Sequence, residues 1–223
     1  MQKVIIVVAG GKGLRMGAEV PKQFMPVAGQ PVLMRTLLRC HEAVPDALLI
    51  LALPKDHQEY WKGLCAEYDF RLAHRIADGG ETRFHSVRNA LDAVCEAEGV
   101  VAVHDGVRPF VSAEVVRRVM QTAWERGSAV PVVPVVETLR RLHDSGGSHT
   151  VDRDAYRLVQ TPQAFRIDVL KAAYSQACQA AFTDDASVVE ALGNEITLVE
   201  GNRENIKLTT PEDLKYAEFL CRA

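Results

Sequence analysis

Apolar residues along this chain fall in short unbroken runs separated by stretches with helical spacing, an alternation that predicts strands and helices in turn. Lys3 to Ala9 is a β-branched run halted by Gly10-Gly11-Lys12-Gly13, and it reads as a strand buried on both faces, as in a parallel sheet. Pro31 suits the first turn of a helix reaching about Ala43, with Leu33, Leu37 and Cys40 at helical spacing. Ala47 to Leu53 is a second buried strand, closed by Pro54. A helix through Tyr60, Trp61 and Leu64 follows, then a shorter strand near Arg71 to Ala77. After Gly79-Gly80 a helix is expected from about Thr82 to Glu98, striped by Val87, Leu91 and Val94. Val100 to Val103 is strand again, with Asp105 just past its C-terminal end. Ser112 caps a helix to about Arg126, and Ala129 to Val136 is the next strand. Near the end, Thr210-Pro211-Glu212-Asp213 combines an N-cap threonine, a first-turn proline and first-turn acids, which starts a last helix.

Strands alternating with helices predict an α/β fold built on a doubly wound, mostly parallel sheet, and such sheets bind ligands at the carboxyl ends of their strands. Glu137 to Gln160 breaks the rhythm: charged, polar and apolar residues alternate on either side of Ser145-Gly146-Gly147. That pattern predicts a β-hairpin arm projecting from the sheet. A lone two-stranded arm is marginal in water, so it is expected to rest on something, such as a second subunit. No repeat or linker interrupts the chain, which predicts one domain over residues 1–223 with the arm at about 137–160.

Composition narrows the partners. A net charge of -3 over 223 residues argues against a general nucleic-acid binder, so an anionic ligand needs a local cluster of Lys and Arg. The five cysteines are odd in number and show no C-x-x-C spacing, which predicts reduced thiols and neither a disulfide framework nor a zinc site. The opening apolar run is too short for a membrane span or a signal segment, so a cytoplasmic location is expected.

The first candidate for chemistry is Gly10-Gly11-Lys12-Gly13-Leu14-Arg15-Met16-Gly17, straight after the first strand. Glycines let backbone N–H groups approach an anion, but a P-loop would need Ser or Thr after Lys12, where Gly13 stands. A dinucleotide-binding fingerprint would need an acid at the end of the second strand, where Leu53-Pro54 stands. Arg15 in the loop and Lys22 in Pro21-Lys22-Gln23 are two cations suited to a polyphosphate under in-line attack.

The second candidate is His104-Asp105-Gly106-Val107-Arg108-Pro109. A carboxylate ending a buried strand suits a magnesium ion or a substrate hydroxyl, and Arg108 offers a planar fork matched to phosphate. His104 is read as a satisfied structural histidine, because an ionised phosphate nucleophile needs no base. Thr138, Arg153, Gln160-Thr161-Pro162-Gln163, Thr183-Asp184-Asp185 and Asn205-Ile206-Lys207 each also have ordinary roles. Thr183 suits a helix N-cap, Asp184 and Asp185 suit first-turn acids, and Pro162 suits a loop break. Ser86 with Gly79 and Gly80 either lines a base pocket or simply caps and turns.

Taken in order, Ala9 to Met16, Pro21-Lys22-Gln23, Gly79-Gly80 with Arg83 and Ser86, His104-Asp105 with Arg108-Pro109, Thr150 to Arg153, Thr161-Pro162-Gln163, Thr183-Asp184 and Asn205-Ile206-Lys207 resemble the 2-C-methyl-D-erythritol 4-phosphate cytidylyltransferase family over nearly the whole chain. The resemblance implies a Rossmann-like nucleotidyltransferase fold and transfer of CMP from CTP to a phosphorylated polyol, with pyrophosphate released and Mg2+ held mainly on phosphate. It implies that Arg15 and Lys22 stabilise the transition state, and that Ala9, Gly10, Gly11, Gly80, Ser86 and Asp105 hold the nucleotide. Asp105, Arg108, Thr138, Arg153, Thr161, Thr183 and Lys207 would line the acceptor side. It further implies a homodimer whose arm lends Thr138 and Arg153 to the neighbour. One departure is visible: the family often has two alanines where this chain has Gly106 and Val107. Ribitol 5-phosphate cytidylyltransferase resembles the same loop and the Thr-Pro-Gln run, and a non-catalytic CTP-sensing module is the alternative from another class.

Overall fold

β1 (Gln2–Val8) shows why the sheet is covered on both faces. Successive strand residues point to opposite sides. Ile5 and Val7 enter one buried cluster while Val4 and Ile6 enter another. The structure is a computed structural model and describes residues 1–10 and 20–222. The further strands are β2 (Pro26–Val27), β3 (Gln30–Pro31), β4 (Leu48–Leu53), β5 (Arg75–Asp78), β6 (Gly99–Asp105) and β7 (Ser128–Pro134). They continue with β8 (Arg140–Leu142), β9 (Ser148–Thr150), β10 (Arg157–Val159), β11 (Gln163–Arg166) and β12 (Leu198–Glu200). The helices are α1 (Val32–Ala43), α2 (Lys55–Glu67), α3 (Arg83–Asp92), α4 (Ala113–Arg126), α5 (Ile167–Tyr174), α6 (Asp185–Glu190) and α7 (Pro211–Leu220).

The main sheet runs β10-β7-β11-β6-β1-β4-β5, with β12 also paired to β7. Residues of α1, α2 and α4 fill the cluster on one face, and those of α3, α5 and α6 fill the other. This is the doubly wound arrangement that the unbroken apolar runs predict. β1 pairs in parallel with β4 and β6, so Val8 stands level with Ala52 and Asp105. The ladder then continues past the strand ends: Ala9 N–H donates to Ala52 O at 3.0 Å and Gly106 N–H to Val8 O at 2.9 Å. The carboxyl ends of three central strands therefore form one rim.

β11 is the exception that matters. It lies antiparallel between β6 and β7, pairing Gln163 with Val103 and Phe165 with Val101. Its approach carries Thr161 to the rim, where the Asp105 N–H donates to Thr161 Oγ1 at 3.1 Å.

Several boundaries differ from those expected. The helix after Gly79-Gly80 stops at Asp92, not near Glu98, because Ala93 and Val94 N–H groups turn back to Ala90 and Leu91 carbonyls. Asp105 is the last residue of β6 and not beyond it. The projecting hairpin proper is β8 with β9, while Arg157–Val159 returns to the main sheet and pairs with β7. Ser112 caps α4, and Thr210 with Asp213 forms a capping box on α7 with Pro211 in its first turn, as their residue types predict.

Phe165 carries β11 into the core and is fully buried. Phe165→Ala is expected to lower the unfolding free energy by about 3–5 kcal/mol in urea titrations, through lost burial and the cavity left behind. A loss below about 1 kcal/mol would contradict this role for β11.

Candidate active site

Three segments distant in sequence meet on one carboxylate. Arg108 Nε and Lys207 Nζ each lie 3.1 Å from Asp105 Oδ2, and Arg83 Nε lies 3.7 Å from Asp105 Oδ1. Burial alone would raise the Asp105 pKa, but the charges of Arg83, Lys207 and Arg108 outweigh it and hold the carboxyl well below the usual range. The carboxylate is therefore ionised at neutral pH. Asp105 is engaged by these cations, and among the described residues no group of three His, Cys, Asp or Glu side chains is placed to hold an ion.

His104 satisfies both of its ring nitrogens. Its Nε2 lies 3.0 Å from the Arg108 carbonyl, which can only accept, so Nε2 carries the hydrogen. Nδ1 then accepts from Thr161 Oγ1 at 2.9 Å, and Thr161 Oγ1 in turn accepts from Asp105 N–H. Burial pushes this imidazole down to about 4, so it is neutral and structural, as expected.

Around Asp105 lie two compartments. The first, about 290 Å3, is lined by Ala9, Gly10, Lys22, Gly80 and Ser86 together with Arg83, Asp105 and Lys207. The second, about 320 Å3, is lined by Arg108, Thr161, Gln163, Thr183 and Asp184 together with the same Arg83, Asp105 and Lys207. Arg83, Asp105 and Lys207 thus line both chambers. Ser86 Oγ accepts from Gly80 N–H at 3.0 Å and donates to Thr82 O at 3.0 Å, so the serine fixes the Gly80 turn as well as lining the first chamber. A Cβ on Gly80 would stand 2.3 Å from His85 Cβ, which leaves room for glycine alone. Gln23 donates to Ala9 O at 3.1 Å and so ties the Lys22 turn to the end of β1.

The second chamber is braced by amides. Gln163 Nε2 donates to Asp184 Oδ2 at 2.8 Å, and its Oε1 accepts from Ala186 N–H at 2.9 Å. Asn205 donates to Thr161 O at 2.7 Å, while its own main-chain carbonyl accepts from Arg108 Nη1 at 2.8 Å. Thr183 is not the cap of α6. Asp184 is: it accepts from Ser187 N–H at 2.9 Å, and Ser187 Oγ accepts in return from Asp184 N–H at 3.2 Å. A carboxylate followed three residues later by a serine completes the reciprocal pair that Thr183 could not. Asp185 is a first-turn acid of α6, as expected, and it is fully buried against Arg83.

Gly11 and Arg15 lie outside the described residues. Thr138 and Arg153 are exposed on the arm and line neither chamber of their own chain; Arg153 Nη1 donates to Val136 O at 2.5 Å. Sequence reasoning gave no site role to Arg83, Gln163 or Asn205, although all three sit in motifs it singled out. The Gly106 departure has a steric account, since a Cβ there would lie 3.0 Å from Leu33 Cδ1 and 3.1 Å from Val8 O.

His104 yields a pH dependence. Its unfolded value is near 6.5 and its folded value about 4, so the unfolded chain binds the extra proton between them. Stability is full above ~6.5 and falls as pH drops towards 4. Relative to His104→Gln, the wild-type protein is expected to lose about 1.5 kcal/mol more between pH 6.5 and 5 in urea unfolding. Equal slopes would refute the assignment.

The family model for IspD, 2-C-methyl-D-erythritol 4-phosphate cytidylyltransferase, matches residues 3–223. A relative of that name from Phocaeicola vulgatus is 58% identical over 220 residues, spanning 99% of this chain and 100% of its own. Another of that name from Bacillus velezensis is 40% identical over 226 residues, spanning 100% and 97%. The crystal structure of the Thermus thermophilus 2-C-methyl-D-erythritol 4-phosphate cytidylyltransferase superposes with a TM-score of 0.81 at 36% identity, covering 100% of both chains.

Proposed function

The chain belongs to the 2-C-methyl-D-erythritol 4-phosphate cytidylyltransferase family and transfers CMP from CTP to that polyol phosphate, and we propose that the two chambers divide these substrates between them. What supports the division is that Arg83, Asp105 and Lys207 line both compartments, so groups held in either one lie beside the same three side chains. The first chamber takes CTP, with the Ala9, Gly10 and Gly11 backbone, Gly80 and Ser86 around the cytidine. The second takes the acceptor, with Arg108 and Lys207 on its phosphate and Thr161, Thr183 and Asp105 on its hydroxyls.

In the reaction an oxygen of the acceptor phosphate attacks the α-phosphorus of CTP. A new oxygen–phosphorus bond forms while the bond to the bridging oxygen of the β-phosphate breaks, and pyrophosphate leaves with the electron pair. The nucleophile is already ionised, so no base is needed, which agrees with His104 being neutral and engaged at both nitrogens. Lys22 and Arg15 stabilise the charge that builds on the phosphoryl oxygens. Mg2+, when bound, would be held mainly by the triphosphate and water and would offset the charge on the phosphoryl oxygens.

We read the chain as one catalytic domain that works as a homodimer in the cytoplasm. Val136, Leu142, Tyr156, Leu158 and Val159 expose apolar surface along the arm and its return, with Leu142 78% exposed. A partner covering that surface would receive Thr138 and Arg153. All five cysteines are free, and no helix of the described residues is long and apolar enough to cross a membrane. The relatives carry the methylerythritol name, so the ribitol 5-phosphate reading is not favoured.

Pure protein with CTP and Mg2+ is expected to release pyrophosphate with 2-C-methyl-D-erythritol 4-phosphate and at least about a hundredfold more slowly with ribitol 5-phosphate. Release with ribitol phosphate alone would move the acceptor assignment, and CTP binding without turnover would sink the transfer reading.

Lys22→Ala should lower kcat by roughly 10²–10³ with little change in CTP affinity. Mixing Lys22→Ala with Arg153→Ala subunits should restore roughly a quarter of wild-type activity, because random exchange gives half heterodimers with one intact site each. No recovery would count against an arm that crosses between subunits.

A further inference from the structure

Arg83 is tied to a second buried carboxylate besides Asp105. Its Nη1 and Nη2 donate to Asp185 Oδ1 and Oδ2 at 2.8 and 2.6 Å, a two-pronged pair spanning 102 positions of sequence. Tyr174 Oη donates to the same Asp185 Oδ1 at 2.6 Å, and Asp185 is fully buried. Arg83 Nε lies 3.7 Å from Asp105 Oδ1. Asp185 also opens α6, directly after Thr183 and Asp184, which line the second chamber and not the first.

Resting on the division of substrates given above, we propose that Asp185, braced by Tyr174, is a positioning residue for the acceptor chamber. It acts in two ways through Arg83. It docks the Thr183-Asp184 segment onto α3, and it holds the Nη1/Nη2 edge of the guanidinium so that this edge cannot turn to Asp105. Two acids compete for one arginine. With Asp185 neutral, the guanidinium has only Asp105 as an anionic partner and takes it in the same two-pronged fashion, withdrawing those oxygens from the acceptor. Burial and the neighbouring Asp185 charge push the Tyr174 hydroxyl above its ordinary range, so it remains a hydrogen-bond donor throughout the working pH range.

The test is steady-state kinetics on Asp185→Asn, Tyr174→Phe and the double variant Arg83→Met/Asp185→Leu, with melting temperatures taken alongside. Asp185→Asn should raise KM for the polyol phosphate about tenfold or more while KM for CTP changes less than about twofold. Tyr174→Phe removes one bond and keeps the fold, and should raise the same KM roughly threefold. The double variant replaces a buried ion pair by apolar groups and should regain melting temperature without regaining acceptor KM. Recovery of both together would show Asp185 to be structural only and would overturn the proposal. A KM rise confined to CTP would overturn the chamber assignment and the acceptor-side role with it. Equal losses for both substrates that track melting temperature would overturn the positioning role and leave the chamber assignment standing.

Discussion

A buried carboxylate without partners is among the most unfavourable groups a fold can contain, and Asp105 is one that this fold builds around. It ends a strand with no exposed residue, and its charge is matched by cations from three places: α3, the turn after β6, and the segment following β12. Remove the carboxylate and Arg83, Arg108 and Lys207 repel one another across a small volume. Keep it and three cations are gathered around one anion. That local surplus is how a chain with a net charge of -3 presents a phosphate-binding wall.

The sheet makes this gathering possible. Parallel pairing of β1 with β4 and β6 brings their carboxyl ends level, and Asp105 stands on that rim opposite Val8. The antiparallel insertion of β11 then delivers Thr161 from the other side. The resulting relay runs from the Asp105 amide through Thr161 and His104 to the Arg108 carbonyl, and it uses every polar atom of the histidine ring. A histidine beside a reactive carboxylate invites a general-base role. Here both nitrogens are occupied, burial keeps the ring neutral, and a phosphate nucleophile has no proton to lose.

Amide side chains do much of the local bracing. Gln23 holds the end of β1, Gln163 holds the start of α6, and Asn205 joins Thr161 to Arg108 through its side chain and its own carbonyl. Gln23 and Gln163 line a chamber themselves, and Asn205 stands two residues before Lys207, so a motif such as Thr161-Pro162-Gln163 contains both a contact and its support.

The sequence alone determined the alternation of elements, the caps at Ser112 and Thr210, the arm, and the set of motifs that carry the family. Those features are local: apolar runs, N-cap residue types and glycine turns report on structure within a few residues of themselves. Tertiary structure decided that Arg83 belongs to Asp185 and that Arg83, Asp105 and Lys207 line both chambers. These depend on pairings between residues far apart in the chain. Complementary charge at a separation of 102 positions leaves no periodic trace, because nothing short of the folded sheet and its covering helices brings the two groups within hydrogen-bonding distance.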